Sequence, residues 1–104
     1  MSNAIKELVE KLISENYIMM FSKTYCGYCA KAKRILDGSG KKYHVLELDK
    51  VGNGNQIQNY LQEKTHQSTV PNIFIGNKHI GGCDDLVAAK NDGTLETLLL
   101  AAPS

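Results

Sequence analysis

The chain has 104 residues, 42% of them hydrophobic, and its 12 Lys and Arg against 11 Asp and Glu give a formal net charge of +1. A chain of this length forms one compact domain, so we expect residues 1–104 to fold as a single unit. The nearly neutral charge argues against a nucleic-acid groove, which needs a strongly basic surface. No stretch approaches the roughly 18 apolar residues of a transmembrane helix, so we expect no membrane partner.

Hydrophobic periodicity predicts the first elements in chain order. Residues 4–15 carry apolar side chains at helical spacing, and Ser2 or Asn3 can cap that helix. Residues 17–21 form an unbroken apolar run, which is typical of a strand buried on both faces. A second helix is predicted from Cys26 to the glycines at 38 and 40, and a second strand over 43–48. These two strands flank a helix, so we expect them to be parallel.

The second half of the chain predicts a third helix, a hairpin and two short helices. Apolar positions from Ile57 to Leu61 mark the third helix, after the glycines at 52 and 54. Strands over 72–75 and 78–80 are joined by Gly76-Asn77, a two-residue hairpin signal. Asp84 is predicted to cap a helix that runs from Leu86 to Lys90, and residues 94–100 form the last helix. This order predicts an α/β domain with a small mixed sheet and helices on its faces.

Three cysteines occur in the chain: Cys26, Cys29 and Cys83. Their odd and small number is not that of a disulfide framework in a secreted domain. The start of the chain also lacks the basic and then apolar order of a secretory signal, so we expect a cytoplasmic protein.

The sequence Cys26-Gly27-Tyr28-Cys29 lies where the loop after the first predicted strand meets the second predicted helix. Free backbone N–H groups and the helix dipole favour negative charge at such a position, and Lys23 adds a nearby cation. Because the thiolate is the nucleophilic form of cysteine, Cys26 is the predicted attacking group. Cys29 lies one helical turn further on, close enough to form a disulfide with Cys26, and is the predicted resolving group.

Two other interpretations of this pair remain open. A C-x-x-C sequence can be half of a zinc site, which normally has four ligands. Cys83 and one histidine would have to complete it, and no candidate has paired-ligand spacing: His44, His66 and His79. The two cysteines could also be ordinary buried residues, which their position at a helix start disfavours.

The chemistry-bearing residues fall in three segments, KTYCGYC at 23–29, TVPNIFI at 69–75 and GGCDDL at 81–86. Together, in this order and spacing, they resemble the signature segments of dithiol glutaredoxins. The resemblance implies a thioredoxin-like fold with a four-stranded mixed sheet and about five helices. It also implies a glutathione-dependent thiol–disulfide oxidoreductase, in which Cys26 attacks protein–glutathione mixed disulfides and protein disulfides and Cys29 resolves. The implied partners are glutathione and glutathionylated or disulfide-containing proteins.

The same resemblance implies how glutathione would bind. A cis peptide bond before Pro71 would present the backbone of Val70 to the extended peptide. Lys23 and Gln58 would bind the glycyl carboxylate, and the start of the helix at residues 84–85 would bind the γ-glutamyl group. The full implied set of glutathione-binding residues is Lys23, Tyr28, Gln58, Thr69, Val70, Pro71, Asp84 and Asp85.

Gly27 bears on an alternative function, the binding of an iron–sulfur cluster. Glutaredoxins with Gly in place of the more common Pro at this position include some that hold a 2Fe–2S cluster between two subunits. The alternative is therefore a cluster-bridged homodimer, an iron–sulfur carrier or redox sensor with Cys26 of each chain as a metal ligand. Without a cluster, we expect a monomer.

Cys83 is interpreted as a small residue beside the groove. The alternative interpretation is a secondary thiol that is open to glutathionylation or to an intermolecular disulfide.

Overall fold

The computed structural model describes residues 3–103, in which four strands form one sheet with helices on both of its faces. The predicted order of elements is confirmed, and a short 3-10 helix after the second strand is added to it. In chain order the elements are α1 (Asn3–Glu15), β1 (Ile18–Ser22), α2 (Gly27–Gly38), β2 (His44–Glu47), the 3-10 helix (Leu48–Lys50), α3 (Gly54–Thr65), β3 (Asn72–Ile75), β4 (Lys78–Gly81), α4 (Cys83–Asp92) and α5 (Thr94–Leu100). Ser2, the other predicted cap of α1, lies outside the described residues.

The strands lie in the order β2-β1-β3-β4. β1 is parallel to β2, as the βαβ pattern predicts, and antiparallel to β3. β3 and β4 form the predicted hairpin, in which both turn residues have positive φ, 59° at Gly76 and 67° at Asn77. Two successive positive values are those of the hairpin turn that matches the twist of its strands.

β1 is buried along its whole length because its side chains pack into a hydrophobic core on each face of the sheet. Met19 and Phe21 belong to the core beneath α1 and α3, whereas Ile18 and Met20 belong to the core beneath α2, α4 and α5. This alternation confirms the prediction made from the unbroken apolar run at 17–21. Among the helices of residues 3–103, none combines the length and the apolar character that a bilayer-spanning segment needs.

The start of α4 corrects one prediction. Asp84 is not the N-cap, because the helix begins at Cys83 and Gly82 precedes it as the cap residue. The Asp85 carboxylate closes this end of the helix instead, accepting a hydrogen bond from the Gly82 N–H at 2.9 Å. The usual search for a capping side chain fails here because the cap residue is a glycine and the carboxylate reaches back from within the first turn.

Gly54 provides a test of how tightly α3 sits on the 3-10 helix. A Cβ atom at position 54 would lie 2.0 Å from the carbonyl oxygen of Leu48, so backbone would have to move. We expect Gly54→Ala to lower the free energy of unfolding by about 1–3 kcal/mol, measured by urea denaturation. Gly38, in α2, has nothing within 4 Å of the same position, so Gly38→Ala is the matched control. That control should stabilise by about 0.5–1 kcal/mol, and equal effects of the two changes would contradict the packing described here.

Candidate active site

The directions of the strands bring three distant chain segments to one edge of the sheet. The carboxyl end of β1 lies beside the amino end of β3, where Phe21 is opposite Asn72. The carboxyl end of β4 reaches the same edge, where Gly81 is opposite Ile73. The loop that leads to Cys26, the loop over residues 67–71 and the start of α4 therefore meet there.

Cys26 is the N-cap residue of α2, as the sequence predicts, and is half-buried. Its sulfur accepts a hydrogen bond from the backbone N–H of Cys29 at 3.3 Å. On its other side, the sulfur lies 3.7 Å from the carbonyl oxygen of Val70, to which the thiol form can donate. The N–H group and the positive end of the helix both stabilise a thiolate, so the site can supply an accessible sulfur nucleophile.

Cys29 differs from Cys26 in its environment, although only one helical turn separates them. Its side chain is 0% exposed, and it is a free thiol, as are the other two cysteines. Burial raises the pKa of Cys29, and the opposing hydrogen bond with Ser22 is a smaller influence. The pair therefore combines one reachable sulfur with one that stays protonated inside the core.

The loop before Cys26 is held by Asp49, which lies in the 3-10 helix that follows β2. The backbone N–H of Thr24 donates to Asp49 Oδ1 at 3.0 Å, and the Thr24 hydroxyl donates to the other carboxylate oxygen. The hydrogen bond from the Thr24 hydroxyl lowers the pKa of Asp49. Sequence reasoning missed this contact because Asp49 belongs to the unpredicted 3-10 helix, which lies beside the loop only once β1 and β2 have paired.

A groove of about 450 Å³ opens between the loop over 67–71 and α4. The peptide bond between Val70 and Pro71 is cis, as the resemblance implied. Six of the eight predicted glutathione-binding residues line the groove, together with three that were not predicted as ligands: Tyr28, Gln67, Thr69, Val70, Pro71, Gly82, Cys83, Asp84 and Asp85. Tyr28 is 66% exposed, which is high for an aromatic side chain and leaves its ring available to a ligand.

Lys23 and Gln58 are the two predicted ligands that do not line this groove. The carbonyl oxygen of Lys23 accepts a hydrogen bond from the Cys26 N–H at 3.2 Å, so its backbone shapes the turn into α2. Gln58, on α3, donates from Nε2 to the carbonyl oxygen of Ser68 at 2.7 Å and so contacts the loop over 67–71. Their roles in glutathione binding stay predictions.

Cys83 lies where its interpretation as a small residue beside the groove placed it. It is 4% exposed and packs in the same core as Leu86. Burial raises the pKa of this thiol too. Within residues 3–103, no three His, Cys, Asp or Glu side chains form a group that could hold a metal ion, so the zinc interpretation finds no ligand set there.

Comparisons with known proteins agree with this arrangement. A family model described as Glutaredoxin matches residues 18–80. Glutaredoxin-1 of Rhizophagus irregularis is 54% identical over 97 residues, which cover 93% of this chain and 96% of that protein. A glutaredoxin of Ricinus communis is 52% identical over 93 residues, covering 89% and 91%.

A solved structure extends the similarity to three dimensions. The crystal structure of the buckwheat glutaredoxin–glutathione complex matches with a TM-score of 0.92 at 43% sequence identity, covering 94% of this chain and 89% of the buckwheat chain. The family model alone spans more than half of the chain and includes the segments of Cys26 and Pro71. This chain belongs to the glutaredoxin family.

Proposed function

We propose that this glutaredoxin is a thiol–disulfide oxidoreductase that uses glutathione to reduce protein–glutathione mixed disulfides and protein disulfides. The observation that carries the proposal is the position of the Cys26 sulfur. It lies between the Cys29 N–H of α2 and the carbonyl of Val70, a residue that lines the groove. A thiolate there has its charge stabilised by backbone and faces a surface able to hold a peptide.

The groove provides the groups that a zwitterionic tripeptide needs. The backbone of Val70 can pair with an extended peptide as an added strand would. The first N–H groups of α4 have no partner within the helix and suit the γ-glutamyl carboxylate, while the exposed Asp84 carboxylate suits the ammonium. The glutathione complex of the buckwheat relative, which shares this fold, supports the assignment.

The mixed-disulfide reaction needs only Cys26. Its thiolate attacks the glutathione sulfur of the substrate, a Cys26–glutathione disulfide forms, and the target protein leaves as a thiolate that takes up a proton. The thiolate of a second glutathione then attacks the glutathione sulfur of that intermediate. Oxidised glutathione leaves and the Cys26 thiolate is regenerated, so each protein thiol released consumes one free glutathione, and the other half of the oxidised glutathione comes from the substrate.

A protein disulfide requires both cysteines. Cys26 attacks one sulfur of the substrate and remains joined to it, and Cys29 then loses its proton and attacks Cys26. This releases the second substrate thiol and leaves a Cys26–Cys29 disulfide, which glutathione reduces. The buried and protonated state of Cys29 keeps it from competing for the first attack.

The cluster-bridged homodimer is the second function that the resemblance implies. Thiolate sulfur is a suitable donor for a 2Fe–2S cluster. Of the three cysteines, only Cys26 has an accessible sulfur, since Cys29 and Cys83 are buried. One chain therefore offers one ligand, and the other three would come from a second copy and from glutathione. The described residues contain no feature that favours this function over thiol exchange.

Substitution of each cysteine separates the two reactions. We expect Cys26→Ser to abolish the reduction of a glutathionylated peptide in an assay coupled to glutathione reductase, because the attacking sulfur is lost. Cys29→Ser should keep much of that activity and lose the reduction of protein disulfides. Equal loss of deglutathionylation in both variants would contradict the one-cysteine route.

The role of Lys23 in glutathione binding is tested by removing its charge. We expect Lys23→Ala to raise the apparent KM for glutathione several-fold, since a charge-assisted hydrogen bond to the glycyl carboxylate would be lost. Lys42→Ala is the control, because it removes the same charge from an exposed position in the segment between α2 and β2. If the two variants keep the same KM as the unchanged protein, Lys23 does not bind glutathione.

The environment of Cys29 predicts a pH dependence of its alkylation. Because burial raises the pKa of Cys29, its thiolate fraction at neutral pH is smaller than that of an ordinary cysteine. In Cys26→Ser, iodoacetamide should therefore modify Cys29 slowly at pH 7 and faster only as the pH rises above the ordinary thiol range. Mass spectrometry measures the modification, and the same variant unfolded in urea is the control. Equal rates in the folded and unfolded chains would contradict the burial of Cys29.

A further inference from the structure

Gln67 makes two hydrogen bonds that bracket the backbone of Val70. Its side-chain nitrogen Nε2 donates to the carbonyl oxygen of Thr69 at 3.1 Å and to that of Pro71 at 2.9 Å. An amide NH₂ group has two hydrogens, so both are used. The carbonyl between these two, that of Val70, faces the Cys26 sulfur instead.

The loop over 67–71 is also fixed at its start, by Thr65. The Thr65 hydroxyl donates to the Leu61 carbonyl of α3 at 2.7 Å and accepts a hydrogen bond from the backbone N–H of Gln67 at 3.2 Å. The backbone of Gln67 is thus fixed to the last turn of α3, which gives its side chain a defined starting position.

The end of the loop is fixed by Asn72, which is 1% exposed. Its amide nitrogen donates to Thr65 Oγ1 at 3.4 Å, and its amide oxygen lies 2.9 Å from His79 Nε2 of β4. Buried polar side chains of this kind persist when their hydrogen bonds are satisfied, and they then hold one backbone geometry. Thr65 and Asn72 anchor the loop at its two ends, and Gln67 determines the orientation of its middle.

Gln67 also lies close to the opposite wall of the groove. It is one of the lining residues, and its Nε2 is 3.9 Å from the point that a Cβ atom of Gly82 would occupy. Its side chain therefore lies between the loop over 67–71 and Gly82, the residue before α4. A change at Gln67 alters the orientation of the Val70 edge, although neither of its side-chain hydrogen bonds is made to Cys26 or to α2.

We propose that Gln67 is a positioning residue for glutathione, an inference that rests on the function proposed above. Gln67 donates hydrogen bonds to the carbonyl oxygens of Thr69 and Pro71, so these two carbonyls point toward its side chain. The N–H and C=O of Val70, between them, stay turned toward the bound peptide. Gln67 acts through the backbone and does not contact the reacting sulfur. Its loss therefore weakens the binding of the glutathione moiety and leaves the chemistry at Cys26 intact.

Gln67→Met tests this, because methionine has a similar length and no donor. We expect the apparent KM for a glutathionylated peptide to rise about fivefold to tenfold, the effect of losing hydrogen bonds of ordinary net strength. The kcat should stay unchanged. Gln56→Met, at an exposed position of α3, is the matched control and should leave both quantities unchanged.

Gln67→Glu is the second variant, which guards against misfolding of the first. Its carboxylate places acceptors beside two carbonyl oxygens, so the KM should rise further than in Gln67→Met, and the amide resonance of Val70 measured by NMR should shift. Thermal unfolding is recorded for every variant. A lower melting temperature with an unchanged KM would mean that Gln67 is merely structural, and would overturn the inference. Absence of deglutathionylation by the unchanged protein would instead overturn the proposed function.

Discussion

The antiparallel pairing of β3 with β1 is the constraint on which the active site depends. Two strands that run in opposite directions bring the end of one beside the beginning of the other. The loop after β1 carries Cys26, and the loop before β3 carries Val70 and Pro71, so the sulfur and the peptide-binding edge become neighbours. Because β4 runs back along β3, the start of α4 reaches the same edge and completes the groove.

The difference between the two thiols follows from one turn of helix. Cys26, at the N-cap, is half-buried and receives a backbone hydrogen bond, whereas Cys29, in the first turn, is fully buried. The same backbone therefore supplies the stabilisation of one sulfur and the burial of the other. A division of roles between attack and resolution needs no additional charged residue beside the pair.

Local patterns in the sequence predicted the parts of the structure that depend on neighbouring residues. The apolar run of β1, the Gly76-Asn77 turn and the position of Cys26 at a helix start were all readable in this way. The contact between Asp49 and Thr24 was not, because these residues become neighbours only when the strands pair. Gln67 was missed for a related reason: its two acceptors are backbone carbonyls, which have no sequence signature. The resemblance predicted most of the residues that line the groove, but it did so by analogy of motifs and not from hydrophobic periodicity.

The two cysteines are three positions apart in the chain, whereas the walls of the groove come from segments far apart in sequence. A disulfide between Cys26 and Cys29 closes a short loop and needs little organised structure, so even a partly unfolded chain is able to form one. Recognition of a peptide needs the completed sheet. Oxidation of the pair is thus a local property of the chain, while selectivity for a substrate reports that the whole domain has assembled.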